Sequence, residues 1–330
     1  MPKERAETML KNKILTLLIL IFSLALVTGC GITPPKSNPQ SDVPQADPST
    51  ETTYPLTVKD DSGNNVTISS QPKRIVSMVP SATETLFALG LEENVVAVTK
   101  WDDYPVDVQK QAEYVFQDSL NPNVEQILKL NPDLIVLGLM GHDPKSIEAI
   151  RNLKVPVITV NPQTLEATYL TIETFGQLTN TQKQANQLVS AMKEKEQAIV
   201  KTVSKINSAD RLKVWTEVDD NLFTPGQGTF LNELLTKAGG INIADDVQGW
   251  GQYNSEQVIT KNPQVIFETY DYYQKDAVAN IIARNGWQNI DAVKNKRVIG
   301  LDSNMVTRPG PRIVDGLESI AKALYPDLFQ

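Results

Sequence analysis

One short pattern occurs twice in this chain. Asn123-Val-Glu-Gln-Ile-Leu-Lys-Leu-Asn-Pro-Asp-Leu-Ile135 aligns without a gap on Asn254-Ser-Glu-Gln-Val-Ile-Thr-Lys-Asn-Pro-Gln-Val-Ile266, an offset of 131 residues from Glu125 to Glu256. Each copy carries the same physical instruction. An Asn caps a short helix, the helix stops where the residue before proline disfavours helical backbone, and an apolar strand follows. A helix-to-strand unit repeated at this distance in 330 residues predicts two similar halves. A single core rarely grows beyond about 250–300 residues, which favours the same division.

The segments between the repeats fit that plan. In residues 74–90, Ile75, Val76, Met78 and Val79 form an apolar run closed by Pro80, which predicts a buried strand. Ser81 and Glu84 have capping-box spacing, so each side chain is expected to satisfy a backbone N–H of the other. Leu86, Phe87 and Leu89 then supply a buried helical face and Gly90 the stop. A helix opening at a strand's carboxyl end is where α/β sheets bind ligands, although an ordinary βα unit has the same appearance. Residues 56–68 predict a hairpin with a polar turn at 61–65. Strands are expected at 95–98, 134–137, 155–160, 212–216, 265–269 and 297–301. Helices are expected at 122–132, 144–153 and 230–238, with a last helix burying Ile313, Leu317, Ile320 and Leu324. Such alternation predicts mostly parallel sheets covered on both faces. Residues 181–207 contain no Pro or Gly and place Leu188, Met192, Ile199, Val203 and Ile206 at helical spacing. About 27 residues at 1.5 Å rise make a rod of roughly 40 Å, its charges at 193–196 expected to form a solvated face. The expected architecture is α/β, with two similar lobes of mostly parallel sheet (55–180 and 208–330) joined by one long rigid helix (181–207).

The amino-terminal residues read differently. Lys11 and Lys13 precede an apolar run at 14–27, then Thr28, Gly29 and the only cysteine, Cys30. This predicts a signal peptide over 1–29, too short for a comfortable spanning helix. Val27-Thr-Gly-Cys30 resembles a bacterial lipobox, which implies lipidation of Cys30; an uncleaved signal anchor is the alternative. Residues 30–54 are dense in Pro, Ser, Thr, Asn and Gln and predict a disordered tether.

Composition excludes several functions. A net charge of −8 and a pI near 4.9 leave no basic face for nucleic acid. One Cys rules out an internal disulfide framework, and one His, His142, leaves no room for a multi-His zinc site. No nucleophile elbow, P-loop, His-Glu-x-x-His or Gly-x-Gly-x-x-Gly motif is present, so no catalytic residue is assigned and no cofactor expected. The adjacent acids Asp102/Asp103 and Asp219/Asp220 read as solvated or capping loop residues. A surface hydrolase would need a nucleophile–base pair, and an adhesin would show the alternation of a β-sandwich.

Aromatic placement is more informative. Trp101, Tyr104, Phe223, Trp250, Tyr253, Tyr270, Tyr272 and Tyr273 lie in loops although only 6% of the chain is aromatic. Rings of this kind in a cleft suit a large, flat, partly polar ligand. Core packing is the competing account, strongest for Tyr104 and Phe223. Together with these, residues 74–90, Asp103-Tyr-Pro105, the two repeats, Trp287-Gln-Asn-Ile-Asp-Ala-Val-Lys-Asn-Lys-Arg-Val298 and Arg308-Pro-Gly-Pro-Arg-Ile313 resemble the substrate-binding lipoproteins of ABC importers for cobalamin and ferric siderophores. The resemblance spans roughly 73–324. It implies a monomer with a cleft that closes only slightly, no reaction, and delivery to a permease dimer with its ATPase subunits. Implied ligand contacts are Trp101, Phe223, Trp250, Asn304 and Arg308, with Tyr270 and Tyr273 added from the loop at 270–273. Glu125 and Glu256, one per lobe, are implied to dock onto permease arginines. The plainer account is that an acid in a first helical turn gains about 0.3–1 kcal/mol from the helix dipole. Pro80-Ser-Ala-Thr-Glu84 and Trp101 resemble the cobalamin branch, which is the favoured reading. Phe116-Gln-Asp-Ser119 departs from it, lacking the tryptophan of the best-known cobalamin binder of this fold. Ferric siderophore is the alternative, with Arg308 and Arg312 as candidate anion contacts, and haem a third on the strength of His142.

Overall fold

The structure, a computed structural model, describes residues 51–329. The expected signal peptide, Cys30 and most of the expected tether lie outside the described residues. Inside them, the end of that tether is not loose. Thr52 N donates to Asn180 Oδ1 at 2.7 Å, Gln182 Nε2 to Thr52 Oγ1 at 2.6 Å, and Tyr54 Oη to Leu178 O at 2.9 Å. Residues 52–54 therefore belong to the folded unit, because their polar groups find backbone and side-chain partners at a helix–helix turn.

The first lobe opens with a hairpin, β1 (Leu56–Lys59) against β2 (Asn65–Ile68), paired antiparallel. There follow β3 (Ile75–Ser77), α1 (Pro80–Ala88), β4 (Val95–Thr99), α2 (Val108–Gln111), β5 (Tyr114–Phe116), α3 (Val124–Lys129), β6 (Leu134–Gly138), α4 (Pro144–Arg151), β7 (Val157–Val160) and α5 (Leu165–Thr179). The strands β3, β4, β6 and β7 are buried along their whole length, as unbroken apolar runs must be in a sheet covered on both faces. They pair in parallel in the order β5-β4-β3-β6-β7. The chain winds outward from β3 to β5, then starts again beside β3, so the order reverses between β3 and β6.

After α6 (Gln182–Val203) the second lobe repeats the scheme. It runs β8 (Lys213–Glu217), β9 (Phe223–Pro225), α7 (Phe230–Lys237), β10 (Ile241–Asn242), β11 (Trp250–Gln252), α8 (Ser255–Lys261), β12 (Val265–Glu268), α9 (Ala277–Ala283), α10 (Asp291–Lys294), β13 (Val298–Gly300), α11 (Ser303–Val306) and α12 (Ile313–Leu324). Its parallel sheet has the order β10-β8-β12-β13, reversing between β8 and β12, with β9 and β11 forming a separate antiparallel pair. Two similar lobes of parallel sheet joined by a long helix is thus the architecture found.

What ties the lobes is a common core. Each sheet has an outer cluster of its own, around Ile127 and Ile135 in the first lobe and around Trp215 and Trp287 in the second. A third cluster runs without a break from Ile75, Leu86 and Leu134 through α5 and α6 to Leu234, Val265 and Leu317. The helix α6 has 22 residues, roughly 33 Å. It packs antiparallel on α5, which sequence reasoning did not anticipate although Thr164 caps it and Leu165, Tyr169 and Ile172 are spaced for one buried face. Of the charges at 193–196 only Glu194 is exposed as expected, and the others are engaged. Glu196 accepts from Tyr169 Oη at 2.7 Å and pairs with Lys237 at 2.8 Å, and Lys195 pairs with Asp315 and Glu318 at 2.6 Å. They bridge α6 to α5, α7 and α12 because those helices surround it.

Close approach of α5 and α6 depends on Gly176, where an added Cβ would stand 2.6 Å from Ala185 Cβ. Gly176→Val is therefore expected to destabilise the protein by about 1–3 kcal/mol through overpacking. A urea midpoint equal to wild type would show that the helices separate freely.

Candidate ligand cleft

The reversal of strand order between β3 and β6 leaves a crevice at their carboxyl ends, the usual ligand position in an open α/β sheet. Gly138 ends β6 there, and a Cβ on it would come within 3.1 Å of Val79 Cγ2, so glycine lets the 78–81 segment pass. Loops leaving β5, β6 and β7 contribute Ser119 and Leu120, Met140 and His142, and Asn161–Gln163. Phe230 and Thr307–Pro309 approach from the second lobe and close a cavity of about 240 Å³. His142 Nε2 lies 2.9 Å from Ser119 O, so that nitrogen carries the proton.

Beside the cavity an ion network crosses between the lobes. Glu84, 3% exposed, accepts from Arg312 Nε at 2.8 Å, Arg312 Nη2 at 2.6 Å and Arg308 Nη1 at 3.1 Å. Arg308 also donates to Asp103 Oδ1 at 2.6 Å and to Trp101 O at 2.9 Å. Asn304 Nδ2 donates to Asp103 Oδ2 at 2.9 Å, and the Arg312 guanidinium stands 4.0 Å from the Tyr104 ring centroid. The hydrogen bonds that Arg312 donates to Glu84 raise its pKa above the ordinary value. The expected capping box is thereby corrected. The helix begins at Pro80 with Val79 as its cap and no side-chain cap bond, proline needing no N–H partner at a first helical position. Glu84 is free to turn across the cleft, where charge-assisted bonds to two guanidiniums are stronger than one to a backbone amide.

Of the two roles expected of Asp102, solvated or capping, it takes the second. It is fully buried, and its Oδ2 accepts from Thr99 N at 2.8 Å and Thr99 Oγ1 at 2.5 Å. Burial pushes its carboxyl up from the usual carboxylate range. It fixes the turn that presents Trp101. Asp219 also caps its turn, accepting from Asn221 N and Phe223 N at 2.9 Å.

The anticipated ligand residues are dispersed. Trp101, 49% exposed, accepts from Arg308 at its backbone carbonyl across the lobe boundary, while Asn304 reaches the neighbouring Asp103. Trp250 is half-buried with its ring 5.4 Å from Phe230, one ring removed from the cavity. Phe223 is half-buried at the start of β9, opposite Gln252. Tyr273 is 50% exposed and stacks near Tyr270 and Tyr272. Tyr270 itself is 1% exposed, its hydroxyl donating to Glu217 at 3.0 Å, and burial raises its pKa. Tyr270 thus packs in the second lobe's own core, held there by a buried acceptor. Sequence reasoning overlooked Leu120, Met140, Pro162 and Phe230. The rule that singled out loop aromatics after strand ends would have found the first three had it been extended to aliphatic residues.

Glu125 and Glu256 are both exposed at the second positions of α3 and α8. Asn123 Oδ1 accepts from Glu125 N at 2.9 Å and Asn254 Oδ1 from Glu256 N at 2.7 Å. Among the described residues no cluster of metal-ligating side chains occurs, and no helix is long and apolar enough to cross a membrane.

Two parallel-sheet lobes on one stiff helix, with a lined cavity between them, define a protein that captures a solute. The chain belongs to the periplasmic binding protein family, whose sequence profile matches residues 75–305. It is 35% identical over 316 residues to an uncharacterized ABC transporter substrate-binding lipoprotein, YvrC, of Bacillus subtilis, covering 94% of this chain and 96% of that one. It is 28% identical over 255 residues to the vitamin B12-binding protein of Vibrio cholerae, covering 76% and 89%. Among solved structures, a possible iron-binding (periplasmic solute-binding) protein of Staphylococcus epidermidis superposes with a TM-score of 0.68 at 36% identity, covering 78% of this chain and all of that one. The family binds solutes outside the cytoplasm for ABC importers and is not enzymatic. Its partners are accordingly a permease with ATPase subunits and a small-molecule ligand.

Proposed function

We propose that this chain captures cobalamin between its lobes and hands it to an ABC importer. The observation that carries the reading is the make-up of the cleft. Met78, Leu120, Met140, Pro162 and Phe230 form an apolar wall, and Trp101 stands half-exposed beside the network that closes it. Such a surface suits the flat face of a macrocycle, and the likeness to a vitamin B12-binding protein over 76% of the chain supports it. The cavity is smaller than the ~300–1,000 Å³ of ordinary ligand sites, so entry of a corrin requires the contacts of Arg308 with Trp101 and of Asn304 with Asp103 to part. The reading includes a lipid anchor on Cys30 after loss of the signal peptide, a monomeric state, and docking through Glu125 and Glu256. The lipoprotein name of the Bacillus subtilis relative supports the anchor.

A ferric siderophore is the second reading, favoured by the likeness to a possible iron-binding protein; Arg308 and Arg312, its candidate anion contacts, are both paired with carboxylates here. Titration of the purified protein with cyanocobalamin, a ferric hydroxamate and haemin, followed by tryptophan fluorescence, separates the readings. Saturable quenching by cyanocobalamin alone is the expected result, and saturation only by the ferric hydroxamate or by haemin overturns it. Trp101→Ala combined with Trp250→Ala is expected to weaken cyanocobalamin binding at least roughly tenfold. Each ring contributes about 0.5–1.5 kcal/mol beyond its area, and a decade is about 1.4 kcal/mol. An unchanged dissociation constant in a folded double variant would place the ligand elsewhere.

A further inference from the structure

We propose that Glu84, together with Asp103, sets the charge class of ligand that this cleft admits: the two carboxylates answer both cleft arginines, and removing either one leaves a positive charge open to an anion. The proposal rests on capture of a solute between the lobes and not on that solute being cobalamin.

Arg308 and Arg312 come from one lobe, and their side chains are mostly withdrawn from solvent. A guanidinium cannot lose its proton in a protein, and its fork of donors fits carboxylate and phosphate oxygens. Two such groups left open in a crevice would make an anion trap. Here Glu84 reaches across from the other lobe and takes three of their N–H groups. Asp103 and the carbonyl of Trp101 take two more from Arg308. Two carboxylates thus face two guanidiniums, and the crevice carries no net charge from this network. Lys100 lies outside the network, exposed, its Nζ 4.9 Å from the Trp101 ring centroid. Asp102 is buried beneath the turn, and Asp302 adds negative charge near Arg312.

The consequence for selection is direct. A ligand with no net charge and an amide fringe meets paired groups only, and binds without leaving any charge unpaired. A multiply anionic ferric chelate must displace Glu84 from its arginines, and a buried carboxylate without partners is expensive. Glu84 touches the arginines and need not touch the ligand, which makes it a positioning residue. Arginines alone therefore do not mark this cleft as a site for anionic chelates, because their charge is already answered.

The test compares wild type with Glu84→Gln, which keeps the shape and removes the charge. Asp103→Asn is the second variant, on a side chain 51% exposed that the fold does not need buried. The probes are cyanocobalamin and a trianionic ferric tricatecholate, titrated at low and at high salt with folding checked by circular dichroism. In each folded variant, affinity for the trianion is expected to rise at least roughly tenfold relative to wild type at low salt, with the gain shrinking at high salt as screening grows. Affinity for cyanocobalamin should change far less. A folded variant whose affinity for the trianion is unchanged overturns the proposal, as does a gain insensitive to salt. If Glu84→Gln does not fold, Asp103→Asn decides the matter alone. If wild type binds no cyanocobalamin yet the variants gain the trianion, the cobalamin reading fails and the role of Glu84 stands.

Discussion

Glu125→Arg combined with Glu256→Arg is expected to abolish uptake while leaving ligand affinity of the purified protein within about twofold of wild type. Both acids are exposed, each at the second position of a short helix, each above an Asn whose side chain caps the same turn. Losing an acid there costs a helix about 0.3–1 kcal/mol, too little to unfold a lobe. Against a permease with two-fold symmetry, matched anionic knobs on similar lobes would meet matched cationic sockets. Close charge pairs at interfaces couple by about 1.5–7 kcal/mol, and reversing a charge adds repulsion to the loss. Single reversals should be intermediate, and double replacement by Ala milder than reversal. Ser119 and Leu120 line the cavity a few residues before Asn123, so affinity must be measured alongside uptake. Wild-type transport by the double variant, at equal surface levels, would leave these residues as helix caps only.

The largest loss of stability is expected from Glu217→Ala. Glu217 is wholly buried at the carboxyl end of β8 and answers four donors. Trp215 Nε1 donates at 2.8 Å, Tyr270 Oη at 3.0 Å, and Arg284 at 2.5 and 3.1 Å. Removing the acid strands a cation that also stacks on Trp287 at 4.2 Å, and two polar groups inside an apolar cluster. Breaking a buried ion pair from one side costs about 3–5 kcal/mol. At roughly 2–4 °C per kcal/mol for a domain of this size, Tm should fall by about 6–20 °C. Glu217→Leu with Arg284→Met should recover part of the loss, since the stranded charge then goes too. A Tm for Glu217→Ala within a degree or two of wild type would mean that water replaces the carboxylate.

The two substitutions mark where a sequence can and cannot be read. The lobes were legible because the repeat around Glu125 and Glu256 is local chemistry, a cap, a stop and a strand. The parallel sheets were legible because β4, β6 and β7 are apolar on both faces and their sequences say so. Local pattern failed wherever a distant partner decided. Glu84 has capping-box spacing, yet arginines more than two hundred positions away claim it. Trp101 and Tyr270 look alike as loop aromatics, but only Tyr270 has a buried acceptor to hold its hydroxyl inside. The charges at 193–196 read as solvated because nothing local reveals that α7 and α12 lie alongside. The helix α5 was within reach, since its cap and its apolar spacing are both in the sequence.

The core that passes from one sheet to the other through α6 bears on how cargo leaves. A clamshell on loose strands would open and shut by itself, and thermal motion would let its cargo go. In this molecule the jaws grow from a single spine, so prying them apart disturbs side chains from Ile75 to Leu324 at once. On the proposed reading, such a carrier has no wide swing of its own with which to expel a load, and discharge is expected to be prompted by contact with the transporter rather than by a hinge within the chain.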